Sequence, residues 1–141
     1  MPIIPSIDEI TETFEFLGDW EERFAYLIDL GKKLPPMDER DIVDANRVLG
    51  CQASVWMKID LDESTTPTRL LMNAMSDAHI VNGLIAILLS LYAGKPVDQL
   101  GSVDPDGVLK TLELEDHLSP TRRNGLHAMI SRIRAMTGNL S

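Results

Sequence analysis

A chain of 141 residues, 44% hydrophobic and 25% charged, has the size and profile of one soluble globular domain and is too short for two ordinary ones. Its formal charge of −9 argues against generic binding to nucleic-acid phosphates, and its single cysteine, Cys51, excludes a disulfide within the chain and an all-cysteine metal cage. The stretch from Met1 to Ile10 lacks the basic-then-apolar order of an export signal, and the longest apolar run, Ile80 to Leu91, is broken by Asn82, Gly83 and Ser90, short of the ~20 residues of a membrane span.

The expected molecule is an acidic, cytoplasmic, single-domain protein over residues 1–141, with neither nucleic acid nor membrane as a partner. Its charge is unevenly placed. Carboxylates crowd residues 1–44, whereas the stretch from His117 to Ser141 has none and carries Arg122, Arg123, Arg132 and Arg134. Two readings stay open: two solvated faces that keep the protein in solution, or an arginine end that docks on an acidic partner.

Two helices open the chain. Ser6 with Glu9 forms a capping box, Ile7, Ile10, Phe14 and Leu17 follow at helical spacing, and Gly18 suits a left-handed stop. Asp19 with Glu22 repeats the start signal. Trp20, Phe24, Leu27 and Ile28 make a second stripe that ends at Leu34-Pro35-Pro36. Met37 to Asp44 reads as an acidic connector with a short helical turn.

The period then changes. Val55, Met57, Ile59 and Leu61 alternate with Trp56, Lys58, Asp60 and Asp62, the pattern of a half-buried strand. Glu63 to Pro67 reads as a hairpin loop, Arg69 to Met75 as the returning strand, and Arg47 to Leu49 as a shorter third one. A helix begins near Ser76-Asp77. Its apolar positions on two faces, Ile80, Leu84, Ile87, Leu88 and Leu91 with Val81, Ile85 and Leu89, predict a place at the centre of the core. Gly94 and Pro96 end it. Short helices are expected from Val97 to Leu114, separated by a turn at Asp104-Pro105-Asp106-Gly107. The last helix starts at Ser119-Pro120, buries Leu126, Met129, Ile130 and Ile133, and closes at Gly138. The sum is an α+β domain: a small antiparallel three-stranded sheet packed by helices at both chain ends.

Cys51 lies between Gly50 and the first strand. Glycine permits backbone angles closed to other residues, which suits a loop that presents a thiol. The thiolate is the form that attacks sulfur or binds metal, and free cysteine has a pKa near ~8.5. A buried structural cysteine is the competing reading. A cysteine hydrolase would need one of His79, His117 or His127 beside the thiol, which spacing does not reveal. No histidine pair has metal-ligand spacing, and no CxxC, GxGxxG or P-loop is present, so neither a metal nor a nucleotide cofactor is expected.

Four ordered segments resemble one family. Leu49-Gly50-Cys51-Gln52-Ala53-Ser54-Val55-Trp56 is similar to the G-C-x-x-x-V-W core of the SufE family of sulfur acceptors for cysteine desulfurases. Asp19-Trp20-Glu21-Glu22-Arg23-Phe24 through Leu30-Gly31-Lys32-Lys33-Leu34-Pro35, Ser76-Asp77 through Ile80-Val81-Asn82-Gly83-Leu84, and Leu118-Ser119-Pro120-Thr121-Arg122-Arg123-Asn124-Gly125-Leu126 resemble three further segments of that family. The departures are Ala53 and Ser54 for a more polar pair, Asn82 for a basic residue and Thr121 for serine.

The resemblance implies a fold similar to the IscU-type scaffold, and a mechanism. A pyridoxal-phosphate desulfurase, of the kind that serves the SufE or the CsdE branch, holds sulfur from L-cysteine as a persulfide. Cys51 takes that sulfur, becomes a persulfide itself and passes it to an iron–sulfur scaffold complex similar to SufBCD. The pyridoxal phosphate belongs to the desulfurase, so this chain needs no cofactor and no metal. The resemblance further implies that Gln52, Asp77 and Arg122 meet the desulfurase, that Trp56 lines a pocket for the resting thiol, and that the protein is a monomer or weak homodimer. The alternative is an allosteric interaction module of a desulfurase with a purely structural Cys51.

Overall fold

A computed structural model describes residues 4–137. Helix α1 (Ile7–Phe16) starts where expected, the Glu9 amide donating to Ser6 Oγ at 3.2 Å. Gly18 does not adopt the left-handed conformation; the helix stops at Leu17 in extended geometry, and positive φ among glycines occurs at Gly50 and Gly94. Helix α2 (Trp20–Gly31) is capped by Asp19, whose carboxylate accepts the Glu21 amide, and ends before the prolines. Two short 3-10 turns, Glu39–Asp41 and Asp44–Asn46, fill the acidic connector.

Strands β1 (Val55–Asp62) and β2 (Arg69–Ser76) form one antiparallel hairpin in which Val55 faces Ser76 and Asp62 faces Arg69. The expected third strand is reduced to one bridge, Arg47 to Trp56, so the sheet has two strands rather than three. The physical reason lies at its end: Leu49 is 83% exposed and Gly50 turns to φ +92°, so the ladder stops after one pair. On the other edge a bridge from Arg69 to Pro96 covers β2.

Helix α3 (His79–Tyr92) is buried over most of its circumference, as two apolar faces demand, and the left-handed Gly94 follows it. It packs on α2 and β2 at the centre of one contiguous hydrophobic cluster. Beyond a 3-10 stretch, Val97–Ser102, Asp104 accepts the Gly107 amide and caps helix α4 (Pro105–Thr111), so the tetrapeptide expected as a turn opens a helix instead. Helix α5 (Leu114–His117) is a single turn, and α6 (Pro120–Thr137) begins with the Arg122 amide donating to Ser119 Oγ. Leu126, Met129, Ile130 and Ile133 are its buried side. The expected stop at Gly138 lies outside the described residues. Among the described residues, no helix is long and apolar enough to cross a membrane.

Candidate functional site

Residues 49–54 form a loop with a closed neck. The Val48 amide donates to the Val55 carbonyl at 2.9 Å, beside the Arg47–Trp56 bridge. On the far side of the neck Asp77 and Ser54 bond twice: the Ser54 amide donates to Asp77 Oδ1 (3.1 Å) and the Asp77 amide donates to the Ser54 carbonyl (3.3 Å). One turn into α3, Asn82 clamps the strand-to-helix junction, its Oδ1 accepting from the Ser76 amide (2.8 Å) and its Nδ2 donating to the Ser76 carbonyl (3.0 Å). This departure from the family pattern therefore has a structural task. At the tip, Gly50 holds a conformation that strains side chains, and a Cβ on it would come 3.2 Å from that of Ala128.

The loop lowers Cys51 onto α6. The thiol is half-buried, and its Sγ donates to the Gly125 carbonyl at 3.4 Å. It forms part of the wall of an open cavity of about 290 Å³ whose other walls include Val55, Ala78, Val81, Leu84, Leu126 and Met129. Gln52, Thr121 and Arg122, all exposed, give the cavity its polar margin. The side chains thus come from the loop, the start of β1, the first turns of α3 and the N-terminal half of α6.

Burial pushes the Cys51 thiol above its ordinary pKa. At neutral pH burial lowers further the small thiolate fraction of the resting sulfur, and leaving the cavity restores it. The shift has a consequence for stability. Between the unfolded value, ~8.5, and the raised folded value, the folded protein keeps a proton that the unfolded chain has lost, so stability falls as pH rises there. Urea-unfolding midpoints followed upward through about pH 8.5 are expected to fall more steeply for the native protein than for Cys51→Ser. Parallel slopes would remove the buried-thiol account.

Of the residues singled out in the sequence, Cys51, Gln52 and Arg122 come together at the cavity. Asp77 stands one step behind, tied to the loop through Ser54. Trp56 does not line the cavity. It follows Val55 in β1, and successive strand residues point to opposite faces, so the wall that takes Val55 turns Trp56 away. No histidine lines the cavity either: His117 stacks on Trp20 with ring centroids 3.9 Å apart, and His127 is paired with Glu115. Among the described residues, no group of three His, Cys, Asp or Glu side chains is placed to hold a metal. Met129, Val81 and Leu84 were expected as core positions and Gly125 as part of a resembling segment; none was expected as a wall beside the thiol. Only the helical spacing of Gly125 and Met129 hinted that they share a face.

The two arginine pairs of the C-terminal stretch differ. Arg134 pairs with Asp106 at 3.1 Å, and Arg132 bonds backbone carbonyls, whereas the side chains of Arg122 and Arg123 make no ion pair among the described residues.

Fold and site together define a small α+β protein organised around one loop-borne thiol, with no acid–base partner at the sulfur among the described residues. The sequence model of the Fe-S metabolism associated domain, SufE, matches residues 8–137, and the chain belongs to the SufE family. Two relatives agree. An uncharacterized SufE-like protein of Rhizobium etli is 40% identical over 92% of this chain and 87% of its own. Another, of Rhizobium meliloti, is 39% identical over 92% of this chain and 93% of its own. The solution structure of a hypothetical protein from Thermus thermophilus superimposes with a TM-score of 0.74 over 98% of this chain and 97% of that one; at 23% identity this is likeness of fold.

Proposed function

We propose that this chain is a sulfur acceptor in Fe–S metabolism: Cys51 takes persulfide sulfur from a pyridoxal-phosphate cysteine desulfurase and carries it to a cluster scaffold. The observation that carries the reading is the setting of Cys51, a lone thiol on a narrow-necked loop, resting in an apolar cavity with one weak bond to a carbonyl. Attack of thiolate on sulfane sulfur needs access and alignment more than a dedicated base, which suits a site without histidine.

The step balances as a thiol exchange. The Cys51 thiolate bonds to the outer sulfur of the desulfurase persulfide, the sulfur–sulfur bond of that persulfide breaks, and the desulfurase cysteine leaves as thiolate. The sulfur on Cys51 is then open to transfer to a scaffold complex similar to SufBCD. Gln52 and Arg122, exposed beside the thiol, and Asp77 behind the loop are assigned to the desulfurase contact. The resting cavity keeps the idle thiol protonated and half-covered, which limits its oxidation.

Incubation with a cysteine desulfurase and L-cysteine is expected to add the mass of one sulfur to the peptide that contains Cys51, and reductant should remove it. An unmodified peptide alongside a desulfurase that has itself become persulfidated would refute the acceptor role.

A further inference from the structure

Helix α6 backs the entering side of the loop, at Gly50 and Cys51. Gly125, Ala128, Met129 and Arg132 recur at spacings of three and four, so they stack on one helix face. Gly125 receives the sulfur, the Ala128 side chain abuts Gly50, and Met129 walls the cavity. The last member of the row reaches past the cavity to the approach of the loop. Arg132 Nη1 donates to the Arg47 carbonyl at 3.1 Å and Nη2 donates to the Ala45 carbonyl at 2.9 Å. Both carbonyls belong to the chain just before the neck bond of Val48 with Val55.

A guanidinium is a rigid fork whose charge strengthens the bonds it donates, so a bidentate grip fixes direction as well as distance. The remaining nitrogen, Nε, is buried and has no partner among the described residues. Leaving a buried donor unpaired is unfavourable, so the two carbonyl bonds are what holds the side chain down on the neck rather than extended into water. Arg132 neither touches Cys51 nor lines its cavity. It reaches the thiol only through the loop.

We propose that Arg132 is a positioning residue for Cys51: by gripping the Ala45 and Arg47 carbonyls it holds the entering limb of the loop and so sets how often the thiol leaves its cavity. Asp77 holds the other limb through Ser54, and the two anchors lie on opposite sides of the neck. The consequence for sulfur transfer rests on the acceptor reading. The test does not, because it needs no desulfurase, and its failure would leave that reading standing.

The probe is iodoacetamide on the intact protein, where the Cys51 thiolate bonds to carbon and iodide leaves, followed by mass spectrometry. Arg132→Met keeps the apolar stem and removes the fork. It is expected to accelerate alkylation at least about fivefold, the factor that matches the net worth of even one of the two lost hydrogen bonds. Arg132→Lys, which retains the charge but offers one ammonium to two carbonyls, should react at a rate between native and Arg132→Met. Arg134→Met breaks the ion pair with Asp106, away from the loop, and should leave the rate unchanged. The acceleration should persist in dilute urea without growing, which marks local release rather than global unfolding. Arg132→Gln serves the same purpose where the methionine variant does not fold. A rate within about twofold of native, a lysine variant as fast as the methionine one, or equal acceleration by Arg134→Met would overturn the assignment.

Discussion

On the acceptor reading proposed above, replacing Cys51 by alanine is expected to abolish sulfur gain by the protein and to leave a cysteine desulfurase turning over at the level seen with no acceptor. The reasoning runs from the sulfur outward. The chain has one cysteine, so no second thiol can stand in for it. A desulfurase whose persulfide is not drained stalls with its own cysteine blocked, and an acceptor without a nucleophile does not drain it. The folding cost should be small, because the side chain is half-buried and makes one bond, to the Gly125 carbonyl. Loss of a single such bond is worth about 1 kcal/mol. A folded variant that still binds the desulfurase therefore separates carrier from scaffold. Binding is read by co-sedimentation, turnover by sulfide release in the presence of reductant. Stimulation equal to that of the native protein would favour the rival reading, in which the fold activates its partner allosterically and Cys51 is structural.

The second large effect is on the fold. Gly83→Ala should destabilise the protein by at least about 2 kcal/mol, a factor of about 30 in the folded-to-unfolded ratio. At Gly83, α3 crosses α2 so closely that a Cβ would overlap the Leu27 carbonyl oxygen and stand 2.7 Å from its carbon. Gly31 makes the reciprocal approach, its added Cβ falling 2.7 Å from that of Asn82. The obstacle at Gly83 is the backbone of a packed helix, which no rotamer change relieves. Overpacking of that kind costs about 3 kcal/mol or more, and the better helix propensity of alanine returns only about 1. Steric overlap wins. Chemical denaturation measures the loss, with Gly18→Ala as the comparison, since nothing lies within 4 Å of a Cβ there. A Gly83→Ala protein as stable as native would show that the helices separate at little cost. The same substitution would disturb the site, because α3 carries two cavity walls, Val81 and Leu84, and the Asn82 clamp on Ser76.

The sequence by itself was sufficient wherever the determinant is local. Ser6, Asp19 and Ser119 cap the helices they were expected to cap, because a cap is a bond between neighbours along the chain. The alternation from Val55 reports burial at Val55 and Met57 and fades to an exposed Leu61 at the far end of the strand, while the double apolar face of α3 reports burial along most of the helix, since each needs only the repeat of its own element. The same alternation already separated Val55 from Trp56; the family resemblance drew Trp56 into the pocket, and the face that the cavity occupies excluded it. Local signals also misled where two outcomes share one chemistry. Asp104-Pro105-Asp106-Gly107 suits a turn and a helix start equally, and the downstream packing of Leu109 and Leu112 decided for the helix.

Only the tertiary structure decided the surroundings of the thiol. The Gly125 carbonyl lies 74 residues from Cys51, and the Arg132 grip spans 85 and 87 residues, separations that no periodicity encodes. The bridge that stands where a third strand was expected is of the same kind, because strand pairing depends on what the partner edge accepts rather than on the segment alone. Chain-local patterns thus located the thiol and the elements around it. How tightly that atom is covered, and by which helix, came from apolar surfaces meeting across the core.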